Sequence, residues 1–413
     1  MKKSQRAAML MSVLLAVSVC FGDDWPQFRG PNRDGRSAET SLMKKWPEGG
    51  PRLQWVVEGL GTGFASIAIA DGYVYTTGMV GTDKQGVLFA YDVNGAFKWK
   101  ALYGPEWSGA HPGSRTTPTI DGDRVYVLSG QGNLGCFDAK TGEQRWQADA
   151  AGKFGAQKTN WGLSEAVLVA DDKVVCTPGG KDAGVAALDK MTGRIIWTSK
   201  GLSDSSAHCA PILVERGGRN IIVTITAAHI VGIDLKTGEI LWQYQNKIHK
   251  DKPRHVNPNS PLYYDGAILV ASRFVGSMML KLSADGRQVS EAWTNEELDP
   301  HHGGIVLVDG HIYGANTKRQ GWMCLDWSSG KTVYEKKWLG KGSVIYADGM
   351  LYCYEEKEGT IGLVPASRDG FDVVSSFKVS HGDGEHWAHP AISNGTLYVR
   401  HGDALMAYDI KQQ

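Results

Sequence analysis

Two adjacent histidines are the residues of this sequence best suited to chemistry. His301 and His302 are followed directly by Gly303 and Gly304, and glycine lets a ligand approach the backbone closely. Such a pair could bind a transition metal, act as acid and base in sugar chemistry, or hydrogen-bond to a polar ligand. The residues alone leave these three possibilities open, and we assign no metal ligand from the sequence.

Other polar, basic and aromatic residues lie in segments that we expect to connect strands on the same side of the molecule. With the histidine pair, the candidate ligand-binding residues are Arg115, Asn160, Trp161, His208, Asn259, Arg273, His301, His302, Lys341, His386 and His389. Surface loops are polar in any protein, so the prediction depends on the set and not on any single residue. We expect these side chains to converge on one funnel-shaped binding site.

Other kinds of catalytic site find no support in the sequence. It contains no serine nucleophile elbow, no phosphate-binding glycine loop and no carboxylate pair of recognisable spacing, which argues against hydrolase and nucleotide-binding functions. Glu355, Glu356 and Glu358 are expected to form a solvated loop. Catalytic residues therefore remain unassigned.

A repeated motif must position these residues. Its clearest copy runs from Phe137 through Asp138, Thr141 and Gly142 to Trp146. Related copies recur at intervals of roughly 40 to 50 residues, the length of a four-stranded propeller blade. The aromatic positions that we expect to anchor the outer strands are Trp55, Trp99, Trp146, Trp197, Trp242, Trp293, Trp338 and Phe377. We interpret these aromatics as structural and not catalytic.

A second marker, a tight Asp-Gly or Asn-Gly turn before an alternating strand, occurs in phase with the first, as at Asp71-Gly72 and Asp309-Gly310. Such turns are typical of β-hairpins. We predict an all-β fold, an eight-bladed β-propeller of four-stranded antiparallel blades. The strand around Trp55 should join the C-terminal blade and close the ring, which removes exposed sheet edges.

The chain divides into three expected parts. Residues 1–22 combine Lys2, Lys3 and Arg6 with an apolar core and are typical of a secretory signal peptide. Residues 23–50 are rich in Pro and Gly without a period and should form an extended strap lying on the propeller, which spans residues 51–413. We therefore expect an exported, periplasmic or extracellular protein, and a lipoprotein site at Cys20 is a less favoured alternative.

Charge and composition restrict the partners. The formal net charge is +0 and the pI is about 7.2, so the whole molecule provides no long-range attraction for nucleic acid. No apolar run long enough to span a membrane follows the N-terminal segment, so the mature chain should have no transmembrane segment. We expect a monomer that binds a protein or glycan partner through its loops.

The Asp-x-x-Thr-Gly-x-x-x-Trp repeat resembles that of the PQQ-like (pyrroloquinoline-quinone) repeat family of eight-bladed propellers. The resemblance implies either a non-enzymatic scaffold of BamB-like type or an alcohol dehydrogenase that holds PQQ and calcium. The quinone enzymes share an adjacent Cys-Cys pair, which this sequence lacks, and it shows no Glu, Asn and Asp set that matches their calcium ligands. The resemblance therefore disfavours PQQ with calcium, although it leaves that cofactor possible.

These observations favour one function and leave others open. The favoured hypothesis is an exported binding or scaffold propeller that acts through its loop face. The alternatives are a PQQ-dependent alcohol or sugar dehydrogenase and a propeller lyase that acts on an acidic polysaccharide through histidine and arginine. Fold alone does not separate them.

Overall fold

A computed structural model describes residues 24–157, 159–181, 183–245 and 256–412 of the protein. These residues form eight four-stranded antiparallel sheets, one of which carries a short fifth strand. The predicted eight-bladed all-β propeller is confirmed. The predicted signal peptide, residues 1–22, lies outside the described residues.

Two strands precede the first complete blade, and the first four blades follow in chain order. The two strands are β1 (Arg36–Ser37) and β2 (Arg52–Val57). Blade 1 contains β3 (Ala68–Ala70), β4 (Tyr73–Val80), β5 (Gln85–Asp92) and β6 (Phe97–Pro105). Blade 2 contains β7 (Thr119–Asp121), β8 (Arg124–Leu128), β9 (Asn133–Asp138) and β10 (Gln144–Asp149), followed by the helix α1 (Ala150–Phe154). Blade 3 contains β11 (Leu168–Ala170), β12 (Lys173–Cys176), β13 (Ala186–Asp189) and β14 (Ile195–Thr198). Blade 4 contains β15 (Ile212–Arg216), β16 (Arg219–Ile225), β17 (His229–Asp234) and β18 (Ile240–Gln245).

The remaining blades complete the ring. Blade 5 contains β19 (Leu262–Tyr264), β20 (Ala267–Ser272), β21 (Gly276–Leu282) and β22 (Val289–Asn295). Blade 6 contains β23 (Ile305–Val308), β24 (His311–Asn316), β25 (Gly321–Asp326) and β26 (Thr332–Lys336). Blade 7 contains β27 (Gly342–Ala347), β28 (Met350–Glu355), β29 (Thr360–Pro365) and β30 (Ser375–Lys378). Blade 8 contains β31 (Ala391–Ser393), β32 (Thr396–His401) and β33 (Ala404–Asp409), and β2 is its outer strand.

The N-terminal strand closes the ring, as predicted. β2 pairs antiparallel with β33, and Trp55 lies opposite Ala407. Every blade therefore has an outer strand, and the two ends of the propeller are held together by a sheet. Closure of this kind leaves each blade packed between two neighbours.

The aspartate of the repeat builds the turn between the third and fourth strands. In blade 2, Oδ1 of Asp138 accepts hydrogen bonds from the backbone N–H of Lys140 (3.0 Å) and Thr141 (2.9 Å) and from the Thr141 hydroxyl (3.0 Å). Gly142 follows with φ of 73°, a left-handed conformation that favours glycine. Asp, Thr and Gly are therefore needed together to reverse the chain here.

The tryptophan of the repeat joins one blade to the next. Nε1 of Trp146 donates to the carbonyl oxygen of Lys190 in blade 3 (3.0 Å). The indole lies on Gly193 so closely that an added Cβ there would come within 2.6 Å of it. The same donation to the next blade is made by Trp55, Trp99, Trp197 and Trp293. The repeat glycine is thus required both for its backbone conformation and for the space that the indole occupies.

Two aromatic anchors differ from this pattern. Trp338 lies beyond the end of β26. In blade 2 the anchor Trp146 directly follows the register shift of the outer strand, and in β26 the residue at that position is Tyr334. Trp338 instead packs against Trp322 and Phe371, at 6.3 and 6.2 Å between ring centroids. The predicted anchor in blade 6 is therefore corrected to Tyr334. Phe377 lies in β30 as expected and is 6% exposed, but it has no N–H to donate.

The first part of the strap runs through the centre of the ring. Trp25 exchanges two backbone hydrogen bonds with Ile69 of blade 1, at 2.9 and 2.8 Å. Farther along, β1 pairs in parallel with β27, the innermost strand of blade 7. The later part of the strap lies against the ends of blades 7 and 8, where the backbone N–H of Leu42 donates to Asp348 (2.9 Å) and that of Trp46 donates to Ser375 (3.0 Å). The inner strands leave unpaired backbone groups along the central channel, and the strap satisfies several of them.

Two buried arginines fix the strap in the channel. Arg33 donates to the carbonyl oxygens of Ala166 (2.9 Å) and Pro211 (3.1 Å), and also to Val167. Arg29 donates to the carbonyl oxygens of Val344 (3.3 Å), Asp34 (3.1 Å) and Ile305. Each arginine is only 3% exposed. The strap therefore connects blades on opposite sides of the ring.

Candidate functional site

A cavity of about 760 Å³ opens on the face of the propeller where each outer strand connects to the inner strand of the next blade. All eight of these connections contribute side chains, and the strap contributes Phe28. The lining residues are Phe28, Phe64, Ser66, His111, Arg115, Thr117, Asn160, Trp161, Ser164, Ala166, His208, Ala210, Val256, Pro258, Arg273, Phe274, His301, His302, Lys341, Glu356, Trp387 and His389. We call this face the loop face and this space the cavity. Its volume falls in the range of small-molecule sites.

The cavity brings together most of the residues predicted from the sequence. Nine of the eleven candidates line it: Arg115, Asn160, Trp161, His208, Arg273, His301, His302, Lys341 and His389. They come from distant parts of the chain and meet because the ring places all the connections around one axis. The two exceptions, Asn259 and His386, have other partners.

Asn259 lies beneath the histidine pair and holds its loop in place. Its Nδ2 donates to the carbonyl oxygens of Pro300 (3.1 Å) and His301 (3.1 Å), and its Oδ1 accepts from the backbone N–H of Gly304 (3.1 Å). The side chain is 2% exposed. Asn259 therefore positions His301 and His302 and does not itself face the cavity.

His386 belongs to a separate stack of side chains. Its ring lies 3.7 Å from that of His401, nearly parallel to it, and its Nδ1 lies 2.6 Å from the hydroxyl of Tyr354. Burial, together with the neighbouring His401, lowers the pKa of His386 to about 4. This histidine packs against its neighbours instead of reaching the cavity.

Three cations line the cavity walls: Arg115, Arg273 and Lys341. Burial lowers the pKa of Lys341 to about 8 and that of Arg115 to about 10, so both side chains remain mainly charged at neutral pH. Nη1 of Arg115 is buried without a hydrogen-bond partner in the described part of the chain. Its guanidinium lies 5.6 Å from the ring centroid of Phe64. These positive groups make the cavity attractive to anions.

Three histidines of the cavity, His301, His302 and His389, are neutral at pH 7. Burial lowers the pKa of His301 and His389 to about 3, and it lowers that of His302 well below its usual value. Nδ1 of His389 lies 3.2 Å from Nη1 of Arg29, which can only donate, and Nε2 lies 2.6 Å from the carbonyl oxygen of His302. His389 therefore carries its proton on Nε2. Neutral imidazoles can both donate and accept hydrogen bonds.

Aromatic rings form the other part of the walls. Trp387 lies among Phe64, His111 and His302, with ring centroids 4.8, 4.9 and 5.1 Å away. Trp161 lies 6.4 Å from the ring of His208, whose Nδ1 lies 2.7 Å from the hydroxyl of Ser164. Flat apolar surface beside cations and hydroxyl-binding groups suits a ligand that has both a ring and a negative charge.

Two of the three glutamates predicted to form a solvated loop are not exposed at the surface. Glu355 is 1% exposed, and Glu356 turns into the cavity, where it pairs with Lys341 and lies 3.5 Å from Nε2 of His302. Only Glu358 is exposed, as the solvated-loop prediction requires. Among the described lining residues, Glu356 is the one carboxylate. The sequence could have indicated Glu356 through its position after the second strand of blade 7, because the loop that follows this strand opens on the loop face.

Other lining residues were absent from the predicted set. Phe28 could not be assigned because the position of the strap was unknown. Phe64 and Ser66 lie in the connection from β2 to β3, which joins the two ends of the ring. Trp387 lies between two predicted candidates, His386 and His389, and its neighbours were the signal for it.

Comparisons with known proteins agree with this architecture. A family model described as outer membrane protein assembly factor BamB matches residues 50–152 and 84–336, more than half of the chain. BamB of Burkholderia pseudomallei is 24% identical over 279 residues, which cover 64% of this chain and 63% of that protein. A quinohemoprotein alcohol dehydrogenase of Pseudomonas putida is 30% identical over 144 residues, 32% of this chain and 19% of the enzyme.

Solved structures show the same fold. BamB from Moraxella catarrhalis superposes with a TM-score of 0.65 at 13% identity, over 87% of this chain and 99% of that one. The chain spans less than two thirds of the length of the curated relatives described above. Among the described residues, no helix is long and apolar enough to cross a membrane. The repeat, the ring and the family match together show that this chain belongs to the PQQ-like repeat family of β-propellers.

Proposed function

We propose that this protein is a binding propeller whose cavity receives the acidic end of a glycan. The observation that carries the proposal is the charge of the lining: three cations face one carboxylate, Glu356, which is already paired with Lys341. Arg115 therefore has no acidic partner among the lining residues. Carboxylates of a uronic acid would supply one through charge-assisted hydrogen bonds.

The shape and the uncharged groups of the cavity support a sugar ligand. A volume of about 760 Å³ suits a few sugar rings better than a flat protein surface. Trp161 and Trp387 offer faces on which a sugar ring can stack, and Asn160 and the neutral histidines offer partners for hydroxyl groups. A short acidic oligosaccharide uses all of these groups at once.

The residues that line the cavity are poorly suited to a quinone cofactor held with calcium. Calcium takes six to eight oxygen ligands, whereas the described lining offers one carboxylate surrounded by arginine, lysine and histidine. The described cysteines Cys136, Cys176, Cys209, Cys324 and Cys353 are buried and none is adjacent to another. The residues present do not fit a quinone held with calcium, and the proposed function contains no step through that cofactor.

A lyase acting on the same acidic glycan is the second candidate. His301 and His302 are neutral and lie near Arg273, an arrangement that could remove a proton beside a carboxylate. A general base works best when its pKa is near the operating pH, and the pKa of His301 is about 3. This low value favours binding over catalysis.

Titration calorimetry with matched sugars tests the proposal. We expect the chain, purified without an affinity tag, to bind oligosaccharides of uronic acids and to bind neutral sugars of the same length at least about tenfold more weakly. Arg115→Gln should weaken acidic binding about 10- to 100-fold. Arg194→Gln, at an exposed turn, is the matched control and should change nothing.

Several outcomes would count against the proposal. Equal binding of acidic and neutral sugars, or no binding of either, would contradict it. Release of an unsaturated sugar, detected by ultraviolet absorbance, would replace it with the lyase. Tight binding of PQQ with calcium would replace it with the dehydrogenase.

We further propose that the protein is exported. This rests on the basic and then apolar residues 1–22 and on the family relationship to an outer membrane assembly factor. The mature chain should then begin at Asp23, because Gly22 is the last small residue before two acidic ones. The intact mass of the secreted protein decides this, and a chain that begins at a lipidated Cys20 would contradict it.

A further inference from the structure

Three potential metal ligands meet at one wall of the cavity. His301 and His302 lie in the connection from β22 of blade 5 to β23 of blade 6. Glu356 follows β28, the second strand of blade 7. One ligand atom from each residue lies within 4.8 Å of the other two. This spacing is compatible with a single ion at the centre of the group.

Three of the four imidazole nitrogens in this group make no hydrogen bond within the described part of the chain, which ordinary packing does not explain. Nδ1 and Nε2 of His302 and Nδ1 of His301 are buried without a hydrogen bond to any described residue. Buried polar atoms are normally paired, because an unpaired one costs about 1–3 kcal/mol. Three such atoms side by side indicate that the site is built for a group that the protein itself does not supply.

The backbone around the histidines is held firmly. Asn259 bonds the carbonyl of His301 and the N–H of Gly304, and the carbonyl of His302 accepts from His389. Gly303 packs so closely on β27 that a Cβ there would lie 1.9 Å from the carbonyl oxygen of Gly342. The backbone that carries both imidazoles is therefore held in place before any ligand arrives, which favours metal binding.

We propose that His301, His302 and Glu356 bind one divalent transition metal ion of borderline softness, such as Zn²⁺ or Co²⁺. Two imidazoles and one carboxylate form a donor set that suits these ions and is poor for Ca²⁺. Three protein ligands leave at least one coordination position open toward the cavity. The inference goes beyond glycan binding and does not depend on it.

Two nearby cations couple the metal to an anion. Nη1 of Arg273 lies 3.0 Å from Nε2 of His301 and can only donate, so His301 carries its proton on Nδ1. A metal bound through Nδ1 would place the proton of His301 on Nε2, and it would compete with Lys341 for the Glu356 carboxylate. Both cations would then lie close to the metal without their present partners in this group. An anionic ligand at the metal would neutralise them, so metal and anion should strengthen each other's binding.

Metal titration of the tag-free chain tests the inference without any sugar. We expect one Zn²⁺ per chain by equilibrium dialysis and elemental analysis, visible absorption bands from bound Co²⁺, and no comparable binding of Ca²⁺. Both His302→Ala and Glu356→Gln should weaken Zn²⁺ binding by a factor of about 100 or more, since losing even an outer partner of a metal ligand typically costs 10- to 100-fold. Circular dichroism and melting temperature check that each variant is folded, and Glu356→Gln preserves the shape of the side chain.

His311→Ala is the matched control, because that histidine is the first residue of β24, at the end of blade 6 opposite the loop face, and does not line the cavity. It should bind Zn²⁺ like the wild type. Failure of the wild-type chain to bind Zn²⁺ or Co²⁺ would overturn the inference, and so would unchanged binding in the folded Glu356→Gln variant. A positive metal result with no glycan binding would reject the proposed function and leave the metal site standing.

Discussion

The tryptophans that join neighbouring blades offer a controlled comparison between two nearly equivalent positions. Trp146 and Trp242 are 8% and 6% exposed and occupy the same place in blades 2 and 4. Nε1 of Trp146 donates to Lys190, whereas Nε1 of Trp242 is buried without a partner in the described chain. Replacing each by Phe keeps most of the aromatic packing and removes only the N–H. The pair therefore isolates one inter-blade hydrogen bond.

The expected difference follows from the two environments. Trp146→Phe loses one hydrogen bond to the Lys190 carbonyl, which keeps the Tyr126 hydroxyl as its other donor (3.1 Å), whereas Trp242→Phe removes a donor that was unpaired. We expect Trp146→Phe to reduce the free energy of unfolding by about 1 kcal/mol more than Trp242→Phe. Urea unfolding followed by both fluorescence and circular dichroism measures this. Equal losses in the two variants would refute the role given to the indole N–H.

Three other perturbations test the architecture. Burial raises the pKa of Glu106 to about 7 from an ordinary value of 4.5, so its contribution to stability is present below about pH 4.5 and is lost as the pH rises through 7. In urea unfolding, Glu106→Gln should reduce the decrease in unfolding free energy between pH 5 and pH 8 by about 2 to 3 kcal/mol. An unchanged decrease would contradict this prediction. Deleting residues 51–58 should prevent folding, because β33 loses its outer partner; a soluble, cooperatively unfolding deletion would disprove ring closure. Arg33→Met should lower the free energy of unfolding by about 3 kcal/mol or more, since three carbonyl oxygens lose the Arg33 donor, and a loss no larger than that of Arg194→Met would reject the anchoring of the strap.

The sequence predicted the ring because the repeat encodes local geometry. Asp138, Thr141 and Gly142 build a turn that needs those residue types, and Trp146 fits only over a glycine of the next blade. Such requirements are visible wherever the motif recurs. The anchor of blade 6 was mistaken because Trp338 matched in type, whereas the register of the strand selects Tyr334.

The position of the strap could not be predicted in the same way. Residues 24–50 have no period, and their partners are backbone groups that become available only after the ring closes. Arg29 and Arg33 would ordinarily be assigned to the surface, yet both are buried among carbonyl oxygens of inner strands. Long-range backbone pairing of this kind leaves no signal in side-chain type.

The topology of a ring allowed us to predict which connections converge, but not which side chains of those connections face the cavity. Connections at one end of a ring converge whatever their sequence, so Arg115, Arg273 and His301 were correctly expected to converge. Whether a residue in such a connection faces the cavity depends on its neighbours: Asn259 turns inward to hold a loop, and Glu356 turns toward Lys341. Those choices are made by tertiary contacts.

A crystal structure of the protein with an acidic trisaccharide tests the central claim most directly. We predict that the sugar lies in the cavity, with a carboxylate bound by Arg115, Arg273 or Lys341 and a ring stacked on Trp161 or Trp387. Binding of the sugar elsewhere on the molecule, or a cavity that stays free of it at saturating concentration, would contradict the claim.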